Sequence, residues 1–418
     1  MTHPSRARIS LLIAFVFALC AISTTQAQTF TVLHDFTGGA DGALPQSGLT
    51  LDNAGNLYGT ASEQGGGGQY AGTVFELKKH SNGSWIFDKL YHFQPSQGDG
   101  GYPLGRVVFG PDGKLYGTTG EGANKGCFAG LGCGIVYSLQ PRATVCTSVQ
   151  CEWNETILHV FSGNADGGAP GHVDPIFDRA GNLYGTTQYG GVGLGVVFTL
   201  APSNGGWDEQ TIYTFPDPQG PCTPDSGLVF DPAGNLYGTT AGICDDSHDQ
   251  GSVYQLKPSG QAWTANILRI FQGQTDGWSP TGGLVFDNAG NLYGATWGGG
   301  TNGSGAVFTF QASGGTWNYS QIYSGFTGNG GPFGTLTIDA DGNLYGTTQL
   351  DGAYGMGSVF KLTHTGGGWS YATIRDFTGG ADGGNVAGGV ALDSSGDLFG
   401  TAVQGGAHGQ GLVWEIVQ

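Results

Sequence analysis

Carboxylates recur in this chain at a fixed place. The pattern F-x-G-x-x-D-G, with small variations, sets Asp41, Asp99, Asp166, Asp276 and Asp382 each five or six residues after a phenylalanine. Two chemistries suit such an aspartate. A ring of them around a channel mouth would attract a cation, whereas a turn aspartate accepts hydrogen bonds from the amides of its own loop. Regular recurrence favours the turn role. A second set is aromatic: Tyr70, Phe128, Tyr189, Trp297 and Tyr354 stand among glycines, with Trp278 in the same region. Exposed rings beside small residues would stack on sugars, and packing of loop on loop is the alternative. The densest polar cluster is Cys244-Asp245-Asp246-Ser247-His248-Asp249. Its Asp245, Asp246, His248 and Asp249 offer ligands for Ca2+ or a transition metal. Their spacing matches no calcium loop, so a solvated acidic loop is the plainer reading, and no cofactor is otherwise implied.

Arg106 and Asp174 occupy the column filled in other copies by Gly48, Gly227, Gly283 and Gly389. A charge in an apolar column needs a partner, so these two are expected to pair beside a channel in a structural role. His34, His92 and His159 fall near the ends of equivalent strands, too far apart for one metal site. No G-x-S-x-G, H-E-x-x-H or P-loop is present. The stretch Gly191-Val192-Gly193-Leu194-Gly195 has no helix after it to hold a pyrophosphate.

The elements that must position these groups come from a repeat. The stretch Phe286–Thr296, FDNAGNLYGAT, recurs seven times, and the glycines of its Tyr-Gly or Phe-Gly pairs (Gly59, Gly117, Gly185, Gly238, Gly294, Gly346, Gly400) are 52 to 68 residues apart. A period near fifty in a glycine-rich chain marks a radial or linear repeat. Each copy reads as four short strands. An apolar run ending in Asp comes first, then Asn-Leu-Tyr-Gly-Thr-Thr, then a run such as Gly251–Leu256, then one from Trp to Phe such as Trp263–Phe271. The Asp-Pro-Ala-Gly-Asn linker is a tight-turn signature. In Trp317–Phe326 one extra residue, around Gly325, predicts a bulge in the fourth strand.

Four strands joined by short loops make an antiparallel meander, and seven such units that cannot bury their faces alone stack around an axis. The fold expected is all-β, a seven-bladed β-propeller of four-stranded antiparallel blades. Residues 30–36 form a spare fourth-type strand, while the last copy lacks one after 411–416. Pairing 30–36 with 411–416 would close the ring and remove two exposed edges. In such a disc the loops after strands two and four share one rim, which carries the aspartates and aromatics.

The 82 glycines of 418 residues, combined with 12% aromatics, are turn punctuation rather than disorder. The formal charge of −18 argues against DNA, RNA and anionic lipid as partners. Residues 1–27 read as a signal peptide: Arg6 and Arg8, the apolar run Ile9–Ile22, then Thr25-Gln26-Ala27. That leaves 28–418 as one propeller domain, with no later run long enough to span a bilayer. Six cysteines remain after Cys20, an even count that suits disulfides in an exported chain. Shared loops pair Cys127 with Cys133 and Cys146 with Cys151, and two loops on the same rim pair Cys222 with Cys244.

The seven copies of G-N-L-Y-G-T-T, together with G-x-V-F-x-L, resemble the GloVer (Gloeo/Verruco) tandem repeats of bacterial "choice-of-anchor" extracellular proteins, over about residues 50–418. The resemblance implies an exported bacterial repeat protein, extracellular or periplasmic, with no assigned activity and no catalytic residues to carry over. The family is named for a variable C-terminal anchor, whereas this sequence reaches Gln418 without a sorting tail. The function expected is a secreted, monomeric, non-catalytic propeller binding a glycan or protein at its long-loop rim. The alternatives are a metal-dependent propeller enzyme of lactonase, hydrolase or lyase type and a structural repeat protein of the envelope. Apolar inner strands speak against the enzyme.

Overall fold

The recurring turn folds around its aspartate. Asp52 Oδ1 accepts the amides of Ala54 (2.8 Å) and Asn56 (2.9 Å). Its Oδ2 takes the Asn56 side-chain amide (2.8 Å) and the Tyr58 hydroxyl (3.2 Å). Gly55 supplies the positive φ, +82°, that reverses the chain. The same carboxylate contacts recur at Asp178, Asp231, Asp287 and Asp339. The glycine of Leu-Tyr-Gly has a different reason. A Cβ on Gly59 would lie 2.6 Å from the Phe75 ring and 2.8 Å from Leu49. The aromatic of the third strand therefore sets the tip of its ring on a bare backbone, and the G-N-L-Y-G and G-x-V-F motifs are two halves of one contact.

The computed structural model describes residues 28–123, 126–127, 130–142, 151–191, 193–215, 222–242, 250–260 and 262–418. The expected signal peptide, 1–27, lies outside them. Among the described residues, seven four-stranded antiparallel sheets form a ring, a seven-bladed β-propeller, with one extra two-stranded pairing, Gly100–Gly101 with Glu121–Gly122. Blade 1 comprises Thr50–Leu51, Leu57–Ala61, Thr73–Lys79 and Trp85–His92. The innermost strands are shorter than the sequence suggests, two residues each, because the channel-facing segment before them bonds to neighbouring blades instead of to its own sheet. Blade 7 comprises Ala391–Leu392, Leu398–Ala402, Leu412–Val417 and, as its outer strand, Thr29–Asp35. The closing ladder runs antiparallel from Thr29 opposite Val417 to Asp35 opposite Leu412.

The extra residue in blade 5 does not bulge the ladder there. Tyr323 pairs with Val307 as Arg269 pairs with Val253 in blade 4, and the added residue falls in the loop before Phe326. The register shift seen in that ladder occurs in every blade at the equivalent place, next to the aromatic of the third strand.

The core lies between blades. Leu57 and Phe75 of blade 1 bury against Phe36, Phe399 and Val413 of blade 7. Tyr58 faces the other way, edge-on to Phe109 of blade 2 at 5.1 Å. A fully buried ring such as Phe75 contributes on the order of 2–3 kcal/mol. In six of the seven blades the first threonine after Leu-Tyr-Gly, or Leu-Phe-Gly in blade 7, ties the blade to the next. Thr60, Thr118, Thr186, Thr239, Thr347 and Thr401 donate to the carbonyls of Gly105, Val173, Ser226, Gly282, Gly388 and Ser47 at 2.8–3.3 Å. Through Thr401 and Ser47 these ties close the ring from blade 7 to blade 1.

Candidate functional site

Those six carbonyls also fix which residues are equivalent at the axis. The residue before each acceptor is Leu104, His172, Asp225, Thr281, Ala387 and Gln46, and the place is taken in blade 6 by Phe333, before Gly334. No two are alike, in a molecule whose structural positions repeat. Six of the seven, Gln46, Leu104, His172, Thr281, Phe333 and Ala387, line an axial cavity of about 460 Å3. The His172 ring crosses toward blade 6 and meets Phe333 edge-on, centroids 6.2 Å apart at 72°. One layer down, Arg106 Nη2 lies 3.2 Å from Asp174 Oδ2, and the Arg106 amide donates to Asp174 Oδ1 at 2.8 Å. The expected ion pair exists, and it lines the cavity.

A second tier sits just above, made by the residue after each second strand. Gln46 Nε2 donates to Ser62 Oγ at 3.0 Å, Gln188 Nε2 donates to Asp225 Oδ1, and Trp297 Nε1 donates to Gln349 Oε1 at 2.9 Å. Burial pushes the Asp225 carboxyl up, opposed by nearby His172 and by the Gln188 hydrogen bond. The wall mixes polar side chains, among them Gln46, Arg106, His172, Asp174 and Thr281, with apolar ones such as Leu104, Phe333 and Ala387. An arrangement of this kind can hold a small ligand with one polar edge and one apolar face.

The five loop aspartates are all engaged within their own loops. Asp41 accepts the Thr37 amide (2.9 Å) and His34 Nε2 (3.3 Å). Burial pushes its carboxyl up, but these hydrogen bonds outweigh it and hold the group at about 2. Asp99 accepts the Gln94 amide and the Tyr91 hydroxyl, each at 2.9 Å. Asp166 accepts the Ser162 amide and His159, Asp276 the Gln272 amide and Arg269, and Asp382 the Thr378 amide and Arg375. Blade 6 has no such residue; Asp351 reaches in from the other loop and accepts the Thr327 amide at 2.9 Å.

Of the aromatics, Trp278 and Trp297 meet edge-on at 4.9 Å. Tyr70 meets Tyr102 at 5.8 Å over a second hollow of about 210 Å3 between blades 1 and 2. Tyr189 and Tyr354 stand exposed on their own loops, so the rings do not form one platform. Asp245, Asp246, His248, Asp249 and Phe128 lie outside the described residues. Among the described residues no group of three or more His, Cys, Asp or Glu could hold a metal ion. Cys127 and Cys133 are bonded as expected, with Cα atoms 5.0 Å apart. Cys151 and Cys222 are also disulfide-bonded, while Cys146 and Cys244 lie outside the described residues.

Sequence reasoning singled out Arg106 and Asp174 but passed over His172, Asp225 and Phe333. The signal was a place beside the inner strands where every copy differs.

The Gloeobacter/Verrucomicrobia repeat model matches residues 19–156 and 244–418. The chain belongs to that family. In the intervening stretch this Gloeobacter/Verrucomicrobia repeat protein keeps the same turn geometry, at Asp178 and Asp231. Its fold is similar to the extracellular domain of a protein named as a one-component system of B. thetaiotaomicron, with 11% identity and TM-score 0.51 over 92% of this chain and 39% of that one. A protein of unknown function from Dyadobacter fermentans aligns over 93% of this chain and 96% of its own at 10% identity, TM-score 0.47. A luciferin-regenerating enzyme aligns over 94% and 95% at 13% identity, TM-score 0.44. These likenesses are to the fold alone. No curated protein matches the repeat protein in sequence. Among the described residues no helix is long and apolar enough to cross a membrane.

Proposed function

We propose that this chain is a secreted, non-catalytic propeller that binds the end of a glycan in its axial cavity. The observation that carries the reading is the loss of the repeat at that cavity. Positions that hold the disc together are filled alike from blade to blade, while the mouth is lined by Gln46, His172, Thr281 and Phe333. Its volume of about 460 Å3 lies within the range of roughly 300–1,000 Å3 typical of small-molecule sites. A sugar offers hydroxyls to the polar side chains of the wall and C–H faces to Phe333. Export is supported by the family and by the disulfides, which persist in oxidising compartments. A partner protein would need a far larger surface than this mouth presents.

The test is a glycan array probed with the protein and with a Gly48→Leu variant. An added Cβ at Gly48 meets nothing nearer than 3.4 Å, so the longer side chain is accommodated by filling the cavity. The expected result is glycan capture by the parent and loss in the variant, with melting temperature unchanged. Capture of no glycan, or equal capture by both proteins, would overturn the reading.

A further inference from the structure

Four blades place a glycine and blade 6 places Thr335 where blades 2 and 3 place Arg106 and Asp174, and all of these line the axial cavity. Among the described residues of that wall, Arg106 is the one Lys or Arg and Asp174 the one Asp or Glu. Holding the fold together does not account for them. An ion pair drawn away from water is weak support for a fold, and apolar groups of similar size commonly serve as well. The pairing is also incomplete. Asp174 Oδ1 accepts the Arg106 backbone amide at 2.8 Å, and Oδ2 stands 3.2 Å from Nη2 as an ion-pair contact. No side-chain N–H of Arg106 makes a directed hydrogen bond among the described residues, and Nε is buried without a partner. Arg269 and Arg375, by contrast, each donate to the aspartate of their own loop. The Arg106 side chain stays 37% exposed and that of Asp174 22%, in a wall that faces the cavity.

Side by side, the two make a donor-only group next to an acceptor-only group. A hydroxyl both donates and accepts. Two neighbouring hydroxyls on a sugar ring therefore present the complement, oxygen to the guanidinium and hydrogen to the carboxylate. The charges cancel within the pair, so a uronate or an ammonium would meet a like charge at close range. Resting on the glycan reading, we propose that the sugar is neutral and that Arg106 and Asp174 hold two neighbouring hydroxyls of its terminal ring. The glycines of the same column leave room for that ring: a Cβ on Gly48 would stand only 3.8 Å from Arg106 Cδ. Val108, Val229, Val285 and Val390 of the same wall offer the ring's C–H face an apolar surface.

The experiment is isothermal titration of the full chain with the methyl glycosides of glucose, galactose and mannose, and with glucuronate, galacturonate and glucosamine. The monodeoxy forms of the neutral sugar that binds best follow. Removing either held hydroxyl should weaken binding about tenfold to a hundredfold, the scale of a hydrogen bond to a charged group. The two sensitive positions should be adjacent on the ring, and no charged sugar should bind tighter than the neutral one. In Arg106→Met the intact sugar should bind at least about tenfold more weakly, and the sensitivity at those two positions should largely disappear. Losses spread evenly round the ring, or falling on positions that are not adjacent, overturn the inference from the parent protein alone. Tighter binding of a charged sugar overturns it too, as does a deoxy pattern unchanged in Arg106→Met. Each of these outcomes leaves the glycan reading intact, whereas failure of every sugar to bind overturns the glycan reading itself.

Discussion

The guanidinium of Arg375 lies 3.7 Å from the centre of the Phe30 ring. Arg375 belongs to the outer strand of blade 6 and Phe30 to that of blade 7, so the contact spans the seam next to the closing ladder. Equivalent contacts recur round the disc with different chemistry. His34 stacks on Phe87 at 3.9 Å, Arg269 lies 3.7 Å over Tyr319, and Tyr323 stacks on Tyr371 at 4.2 Å. In three of these the loop aspartate steadies the reaching side chain: Asp41 on His34, Asp276 on Arg269, Asp382 on Arg375. The aspartates therefore serve an outer belt that joins blade to blade.

Removing Phe30 should loosen that belt where the ends of the chain meet. Phe30 also packs edge-on to Phe377 at 5.9 Å, so Phe30→Ala is expected to cost about 2–3 kcal/mol, below the full core value because the ring is only partly buried. A double-mutant cycle of Phe30→Leu with Arg375→Met, read by urea unfolding, should give a coupling of about 0.5–1 kcal/mol. Zero coupling would mean the two rest side by side without holding the seam.

The seam between blades 1 and 2 uses the same belt position for a proton. The Tyr91 hydroxyl lies 2.9 Å from Asp99 Oδ2 and 3.0 Å from Glu155 Oε2. One hydroxyl proton cannot serve two carboxylates, so one of them must itself carry a proton. Burial, then the Asp99 charge, pushes Glu155 up to about 8 from an ordinary 4.5. The folded state thus holds a proton that the unfolded chain releases. Its stabilising contribution is complete below about 4.5 and is lost as pH rises through about 8. The melting temperature should fall across that window in the parent and fall less in Glu155→Gln. Parallel profiles for the two proteins would place the proton elsewhere.

The bare backbone under each third-strand aromatic is a further point of stress. Gly294→Ala would put a methyl carbon 2.6 Å from both Phe308 and Leu284, inside van der Waals contact. Both neighbours are buried on all sides, so the ring must shift and a cost of about 1–3 kcal/mol is expected. The same substitution at Gly366, where no atom lies within 4 Å, should change the urea midpoint little. Equal midpoints for both variants would contradict the close approach.

The architecture was legible because its determinants repeat. Asp231, Gly234 and Asn235 have counterparts that announce the same turn in five of the seven copies, and the strand Thr29–Asp35 had no partner other than the last blade. The axial site was not legible, because its residues announce themselves only by differing. Blade 3 carries one extra residue between Pro170 and the channel, so counting from the proline lands on Gly171 instead of His172. The threonine tie from Thr118 to Val173 is what sets the register, and that bond is visible only in three dimensions. The partnership of Tyr91 with Glu155 was hidden for a similar reason: it joins different places in two successive copies.

Blade 5 is the exception among the threonine ties, and it shows how one seam substitutes for another. Ala295 stands where the other blades have threonine, so the seam to blade 6 lacks the usual donor. Two bonds replace it: the Gly283 amide donates to Thr335 Oγ1 at 2.9 Å, and Thr281 Oγ1 donates to the Phe333 carbonyl at 3.3 Å. Thr335 itself occupies a column held by glycine in four other blades. Thr335→Gly should therefore leave the Gly283 amide without its partner and cost about 1–2 kcal/mol. In an Ala295→Thr background the ordinary tie to the Gly334 carbonyl becomes available, and the same substitution should cost at least about 0.5 kcal/mol less. Urea unfolding of the two single variants and the double variant gives the comparison. An equal cost for Thr335→Gly in both backgrounds would show that the two ties act independently and that the seam does not compensate.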